Sequence, residues 1–174
     1  MTRAGNDAAL LPSRSLCWRA VAQSVGGSYE PGDFWSPERI VLPCSPWTLA
    51  LHAESIQAPL TIVRATYGGR YHPLRLTLLK GEFQREWHGI DLADLEVGAP
   101  TFDAPCQITT SSPAHAKAIF ARPGFQQKLV ALPHLAIDLR RGELRIATVG
   151  IVDHPESLIT LLSIGVEVLQ TLGR

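Results

Sequence analysis

Alternation of apolar and polar residues is the clearest signal along the chain. It predicts half-buried β-strands at residues 47–52, 60–67, 74–78 and, as an optional fourth, 106–110. Four prolines fall within residues 28–46, so this stretch is expected to wrap the surface or form an edge, with a short strand at 40–42. Gly68-Gly69 predicts a turn, and the first three strands are then expected to form an antiparallel meander.

Residues 135–149 predict a β-hairpin with Arg141-Gly142 as its turn. One register places apolar residues on one face and opposite charges on the other, whereas a slip by one residue exposes the leucines. The core-face pairs are Leu139 with Leu144 and Ile137 with Ile146, and the solvent-face pairs are Arg140 with Glu143 and Asp138 with Arg145.

Helical spacing and start signals predict an N-terminal helix over 13–25, a central helix over 112–132 and a C-terminal helix ending at Gly173. Pro123-Gly124 breaks the central helix into two pieces. The fold class is therefore α+β, an antiparallel sheet of about five to six strands in the order α-β-β-β-(β)-α-β-β-α. Residues 1–12 are expected to be disordered or frayed, and residues 13–174 to form a single α+β domain.

Composition narrows the classes of partner. Sixteen basic and sixteen acidic residues give a formal net charge of zero, which argues against nucleic acid and against an anionic membrane surface. Zero net charge also favours self-association, so a homodimer stays open. The first residues lack the apolar run of a secretory leader, and residues 158–172 are too short and too polar to span a bilayer. The sequence predicts a cytoplasmic protein without membrane insertion.

Two resemblances accompany these patterns. The element order resembles that of bacterial secretion-chaperone-like domains, which implies a protein-binding role, although those domains are typically acidic dimers and this chain is neutral. Residues 98–103, Gly-Ala-Pro-Thr-Phe-Asp, resemble the Gly-x-Pro-x-Phe-Asp motif of a bacterial domain family of unknown function. Pro105-Cys106 stands where that family's pattern suggests an aromatic residue, and the family carries over no activity.

Residues 81–105 show the least regular pattern, and three of their side chains are candidates for a catalytic site. Asp91, Asp103 and His88 have the types needed for acid–base chemistry or water activation, but no diagnostic spacing. The structural alternative is favoured: Asp103 accepts backbone N–H groups in a turn before a strand, and Phe102 anchors the core.

Cysteines and histidines give no metal or thiol motif. The six histidines share no helix face at ligand spacing, and the three cysteines contain no Cys-x-x-Cys pair, so neither a metal nor a cofactor is predicted. Cys44 with His52, or Cys106 with His115, could meet in space, but such pairs are more often coincidental than catalytic.

Aromatic residues among the prolines suggest a binding surface. Phe34, Trp35 and Trp47 are candidates for an exposed docking patch, with core filling as the alternative. The leading hypothesis is a non-enzymatic protein-binding or accessory module, chaperone-like, whose partner is another protein or a second copy of the chain. The alternatives are a small hydrolase or metal-assisted enzyme using Asp and His, and a small apolar-ligand binder with a pocket between the sheet and the C-terminal helix.

Overall fold

The computed structural model of the chain describes residues 13–55, 58–69, 73–85 and 92–173. Within them, nine strands form one sheet, accompanied by five α-helices and a 3₁₀ helix at Gly81–Arg85. The strands are β1 (Ser28–Glu30), β2 (Arg39–Cys44), β3 (Trp47–Ser55), β4 (Pro59–Thr66), β5 (Leu76–Lys80), β6 (Ala93–Asp94), β7 (Cys106–Thr110), β8 (Leu135–Arg140) and β9 (Glu143–Val149). The helices are α1 (Ser13–Ser24), α2 (Pro100–Asp103), α3 (Pro113–Phe120), α4 (Pro123–Ala131) and α5 (Pro155–Leu172). The disorder expected for residues 1–12 falls outside the described residues.

Every pair of neighbouring strands is antiparallel, in the order β1-β2-β3-β4-β9-β8-β5-β7-β6. The predicted α+β class with one antiparallel sheet is confirmed. The predicted five to six strands are too few. Strands β1 and β6 have only three and two residues and lack room for a period-two pattern, and the predicted order did not count β2, which was expected only as a short strand among prolines. The helix α2 was not predicted either, because its four residues are too few to show a helical period.

The predicted meander is wrong, because the β8–β9 hairpin lies between β4 and β5. Strand β4 pairs with β9 from Leu60 opposite Val149 to Thr66 opposite Glu143. Strand β5 lies between β8 and β7, and all five of its residues are buried. An alternating pattern indicates which side chains face the core, but it does not indicate which strand is the neighbour.

The hairpin register is confirmed: Leu139 pairs with Leu144, and Ile137 with Ile146. Arg141 and Gly142 have φ angles of 53° and 75°, as a two-residue turn of type I′ requires. A Cβ on Gly142 would lie 2.3 Å from the carbonyl oxygen of Gly68, so the turn packs directly against the end of β4.

Residues 28–46 are more regular than the prolines suggested. Strands β1 and β2 lie at one edge of the sheet, and β1 covers only the first half of β2. Pro43 lies in β2 beyond the residues that pair with β1, where the strand is an edge and proline is tolerated.

Helix α5 packs across β3, β4 and β9 on one side of the sheet, called here the helix face. Its Gly165 allows close approach, since a Cβ there would lie 2.3 Å from Cδ2 of Leu49. Helix α1 adds the fully buried Trp18, whose Nε1 donates to the carbonyl oxygen of Val152 at 2.9 Å. The break between α3 and α4 falls at residues 121–122, just before Pro123. None of the described helices has both the length and the apolar character needed to cross a membrane.

Candidate functional site

Two large aromatic side chains project from the loop between β1 and β2. Phe34 is 89% exposed and Trp35 is 87% exposed. Their rings contact each other edge to face, with centroids 4.9 Å apart and planes at 84°. We call this pair the aromatic tip. Scattered exposed apolar residues are ordinary, but adjacent bulky aromatics at this exposure form an apolar surface that a partner can cover.

The backbone beneath the tip is held by short-range contacts. Asp33 Oδ1 accepts hydrogen bonds from the backbone N–H of Trp35 at 2.8 Å and of Ser36 at 2.7 Å. The N–H of Asp33 in turn donates to the carbonyl oxygen of Ser36 at 2.8 Å. A Cβ on Gly32 would lie 2.5 Å from the backbone nitrogen of Glu38, so only glycine fits there without a shift. The loop therefore presents the tip in a defined conformation.

A buried carboxylate joins this loop to α1. Glu38 is 9% exposed, and its Oε2 accepts hydrogen bonds from the hydroxyls of Ser15 and Tyr29, both at 2.9 Å. Its other oxygen forms an ion pair with Arg14. Buried carboxylates are tolerated when they are paired and hydrogen-bonded, so this cluster fixes the base of the loop to the start of α1.

The structure separates the three aromatic residues that the sequence grouped. Trp47 begins β3 and pairs with Cys44, the last residue of β2. The aromatic tip precedes the first residue of β2, so the strand separates the two by roughly 17 Å at about 3.3 Å per residue. The Trp47 ring packs against the end of α5, because a Cβ on Gly173 would lie 2.3 Å from Cη2 of Trp47. The structure therefore brings Phe34 and Trp35 together and places Trp47 against the core.

Asp103 is engaged by the backbone. Its Oδ1 accepts from the N–H of Val97, and its Oδ2 accepts from the N–H groups of Gly98 and Ala99, all at 2.9 Å. Neighbouring Phe102 is 1% exposed, with its ring centroid 5.7 Å from that of Phe120. These contacts match the structural interpretation of the motif. The other two members of the catalytic hypothesis, His88 and Asp91, lie outside the described residues.

The cysteine–histidine pairs do not meet. Cys44 and His52 lie at opposite ends of the β2–β3 hairpin, since Cys44 pairs with Trp47 and His52 with Arg39. Cys106 begins β7, whereas His115 lies on α3 and shares a 2.7 Å hydrogen bond with Ser112. Within the described ranges, no group of three or more His, Cys, Asp or Glu side chains is placed to hold a metal ion.

All three cysteines are present as protonated thiols near neutral pH. Burial raises the pKa of Cys106 to about 11, despite the opposing effect of Lys80. Burial also raises the pKa of Cys17, with a smaller contribution from Asp153, and that of Cys44. Because the thiolate is the nucleophile, these environments do not favour thiol catalysis.

A second feature is an open groove of about 470 Å³ on the sheet face opposite α5. Charged residues on β4, β8 and β9 line it: Arg64, Asp138, Arg140, Glu143 and Arg145. The side chains lining it on β3 are small, Thr48 and Ala50. The groove is thus polar and lies away from the sheet–α5 contact, where the apolar-ligand hypothesis placed a pocket.

Comparison with known proteins provides a fold relationship. No protein-family model matches the chain, and no curated protein is similar to it in sequence. The chain is similar in structure to a mycobacterial protein described as trehalose monomycolate transport factor A, TtfA. The superposition has a TM-score of 0.60 at 10% sequence identity and covers 92% of this chain and 95% of that chain. At this identity, the likeness shows a shared fold.

Sequence reasoning named Phe34 and Trp35 among the candidates for an exposed patch, with core filling as the alternative, but missed the residues that hold the loop beneath them. Asp33 two and three positions before Trp35 and Ser36 is the spacing of an Asx turn, and Pro31 and Pro37 flank it. That signal was available in the sequence. The groove carried no comparable signal, because its charged residues come from strands that are distant along the chain.

Proposed function

We propose that this chain is a non-enzymatic accessory module that binds another protein through the aromatic tip. The observation that carries the proposal is the contrast between two almost fully exposed aromatic rings and the fixed backbone below them. A preorganised aromatic anchor loses little conformational entropy on binding, which is how interface hot spots achieve affinity.

The shape of the tip favours a macromolecular partner. A projecting pair of rings cannot enclose a small ligand, but it can enter a concave apolar pocket on another surface. Covering both rings removes roughly 300 Å² of apolar area, worth about 7 kcal/mol before the cost of association. That cost is itself about 4–15 kcal/mol, so the tip serves as the anchor of a larger interface.

The described residues give the enzymatic alternative less support. Both carboxylate oxygens of Asp103 accept hydrogen bonds from backbone N–H groups, which supports a structural role for this side chain. The likeness to the mycobacterial transport factor concerns the fold, so the proposal depends on the aromatic tip and not on that protein's role.

Site-specific photocrosslinking tests the proposal. A photoreactive phenylalanine analogue replaces Trp35 in the tagged full-length chain, which is expressed in its own cells and irradiated. The same analogue at Val130, a 38% exposed position on α4, is the matched control. We expect one protein adduct from position 35 that is absent from position 130, with the crosslink mapping to an apolar pocket of that protein.

Co-purification with variants completes the test. The double variant Phe34→Ala and Trp35→Ala should no longer co-purify with the protein that crosslinking identified, whereas Val130→Ala should still co-purify with it. An adduct between two copies of the chain, with a matching dimer in sedimentation, identifies a homodimer as the partner. Equal retention by the tip variant, or binding of the tip to protein-free phospholipid vesicles in place of any protein adduct, would overturn the proposal.

A further inference from the structure

Two arginines are direct neighbours across the centre of the sheet. Arg64 on β4 and Arg145 on β9 are cross-strand partners on the face opposite α5. Side chains paired in this way start about 5 Å apart, and like charges directly opposite each other are destabilising. The pair therefore needs compensating negative charge.

The nearby carboxylates are engaged by other arginines. Arg64 donates from Nη2 to Glu54 Oε1 at 2.7 Å. Asp138, the cross-strand partner of Arg145 on β8, is paired with Nε of Arg140 at 2.8 Å. The backbone of Arg145 is paired within the sheet, but its guanidinium forms no hydrogen bond or ion pair with any residue that the structure describes.

The surroundings of Arg145 penalise its charge. Partial burial and then the neighbouring Arg64 lower the pKa of the Arg145 guanidinium, and Glu54 and Asp138 offset this only in part. An arginine stays protonated at any physiological pH, so this penalty is relieved by acquiring an anion and not by losing a proton.

The groove has the charge and size for such an anion. Two of the three arginines in its lining already hold a carboxylate, Arg64 that of Glu54 and Arg140 that of Asp138, which leaves the Arg145 guanidinium without one. A monoanionic carboxylate matches that single guanidinium, whereas a phosphate dianion carries one charge more than it can neutralise. The small side chains of Thr48 and Ala50 leave room for the rest of a ligand in the 470 Å³ volume.

We propose that this groove binds the carboxylate of a small organic ligand, with the Arg145 guanidinium as the principal donor and Arg64 beside it. The planar fork of a guanidinium matches the two oxygens of a carboxylate. The site is independent of the aromatic tip, so either can fail without the other.

Titration followed by NMR tests the groove directly. Acetate, butyrate, benzoate and succinate are added separately to the ¹⁵N-labelled full chain, with sodium chloride at matched ionic strength and inorganic phosphate as comparison arms. We expect at least one carboxylate to produce saturating shifts at the Nε–H of Arg145 and at amides of β4 and β9. Chloride should produce no saturating change.

Three variants separate recognition from net charge. Arg145→Gln and Arg145→Lys should weaken carboxylate binding roughly tenfold to hundredfold, the range for losing charge-assisted hydrogen bonds. Arg141→Gln removes the same charge from the turn of the same hairpin, outside the groove lining, and should change affinity less than about threefold by screening alone. Amide spectra and melting temperatures establish that each variant is folded.

The outcomes are distinct. Saturating shifts that disappear in both Arg145 variants support the site. Absence of saturation with every carboxylate, equal loss of binding in Arg141→Gln, or tighter binding of phosphate than of any carboxylate would each overturn the carboxylate assignment.

Discussion

Asp138 lies directly opposite Arg145 in the β8–β9 hairpin, but its carboxylate pairs with Arg140, two residues along its own strand. Thr77 Oγ1 also donates to Asp138 Oδ1, at 3.4 Å. Burial raises the pKa of the Asp138 carboxyl, and Arg140, Thr77 and Arg145 offset that effect only in part. The ionised carboxylate is therefore held in the folded state at a net cost.

Because of that cost, we expect the contribution of Asp138 to the free energy of unfolding to depend on pH. A carboxyl whose folded pKa is raised gives its full stabilisation below its unfolded pKa, near 3.8, and loses it as pH rises through the folded pKa. Asp138→Asn mimics the protonated form at every pH. The free energy of unfolding of Asp138→Asn minus that of the wild type should therefore be larger at pH 7 than at pH 3.5.

Urea unfolding of both proteins at each pH measures this difference, and the titration of all other groups cancels between them. A difference that does not change between the two pH values would show that the hydrogen bonds of Asp138 balance its desolvation.

Preorganisation of the aromatic tip can be tested without altering the aromatic side chains. Gly32→Ala places a Cβ against the backbone of Glu38 and should cost roughly 1–3 kcal/mol of stability through backbone displacement. It should also weaken capture of the crosslinked partner. Gly69→Ala is the control, since a Cβ there meets nothing within 4 Å. Undiminished capture by Gly32→Ala would mean that the loop conformation does not matter for binding.

Contact between α5 and the sheet gives a third prediction. Gly165→Ala gains about 1 kcal/mol of helix propensity but forces a Cβ to within 2.3 Å of Cδ2 of buried Leu49. Overpacking of this kind costs about 1–3 kcal/mol, so the variant should be destabilised or at best neutral. Gly124→Ala, which lies in the first turn of α4 with open space around its Cβ, should instead stabilise the protein by up to about 1 kcal/mol.

A double-mutant cycle distinguishes steric conflict from other causes. Leu49→Ala alone should cost about 2–5 kcal/mol, and adding Gly165→Ala to it should cost less than in the wild type because the conflicting methyl is gone. Chemical unfolding of the four proteins gives the coupling energy. Strict additivity would indicate that Leu49 does not limit the approach of α5.

The hairpin register was predictable because all its information is local. Leu139 and Leu144, separated by a two-residue turn, must share a face, and a one-residue slip would expose both. The partner of Asp138 was not predictable, because the choice between Arg145 and Arg140 depends on side-chain geometry and burial. Alternation along a strand determines which face of the sheet each side chain occupies, but it does not determine which charged side chains on that face form ion pairs.

The strand order and the site depend on distant contacts. Pairing of Leu60 with Val149 joins strands from opposite halves of the chain, and no local pattern specifies it. Likewise, Trp35 and Trp47 lie in similar proline-rich surroundings, and the end of α5 at Gly173 decides that Trp47 is covered. The sequence alone therefore left two alternatives for these aromatic residues, an exposed patch or core filling.

Lys80 gives the last prediction, because it is a buried cation that completes a helix end. It is 7% exposed, and its Nζ donates to the carbonyl oxygens of Leu129, Val130 and Leu132 at the C-terminus of α4. Those carbonyls lack partners within the helix, and a cation there also suits the helix dipole. Lys80→Met should therefore cost roughly 1–3 kcal/mol, as expected when buried acceptors lose their donor.

Lys117→Met on α3 is the matched control, since Lys117 is exposed and its substitution should change stability by less than about 0.5 kcal/mol. Urea unfolding gives both free energies, and amide hydrogen exchange at residues 125–131 locates the effect.

Because burial lowers the pKa of Lys80, its charged form is penalised in the folded protein. The free energy of unfolding lost in Lys80→Met relative to the wild type should therefore grow as pH rises toward 10.5, because the neutral amine is favoured in the folded state. A deficit that shrinks over that range would show that the positive charge, and not hydrogen bonding alone, stabilises the end of α4.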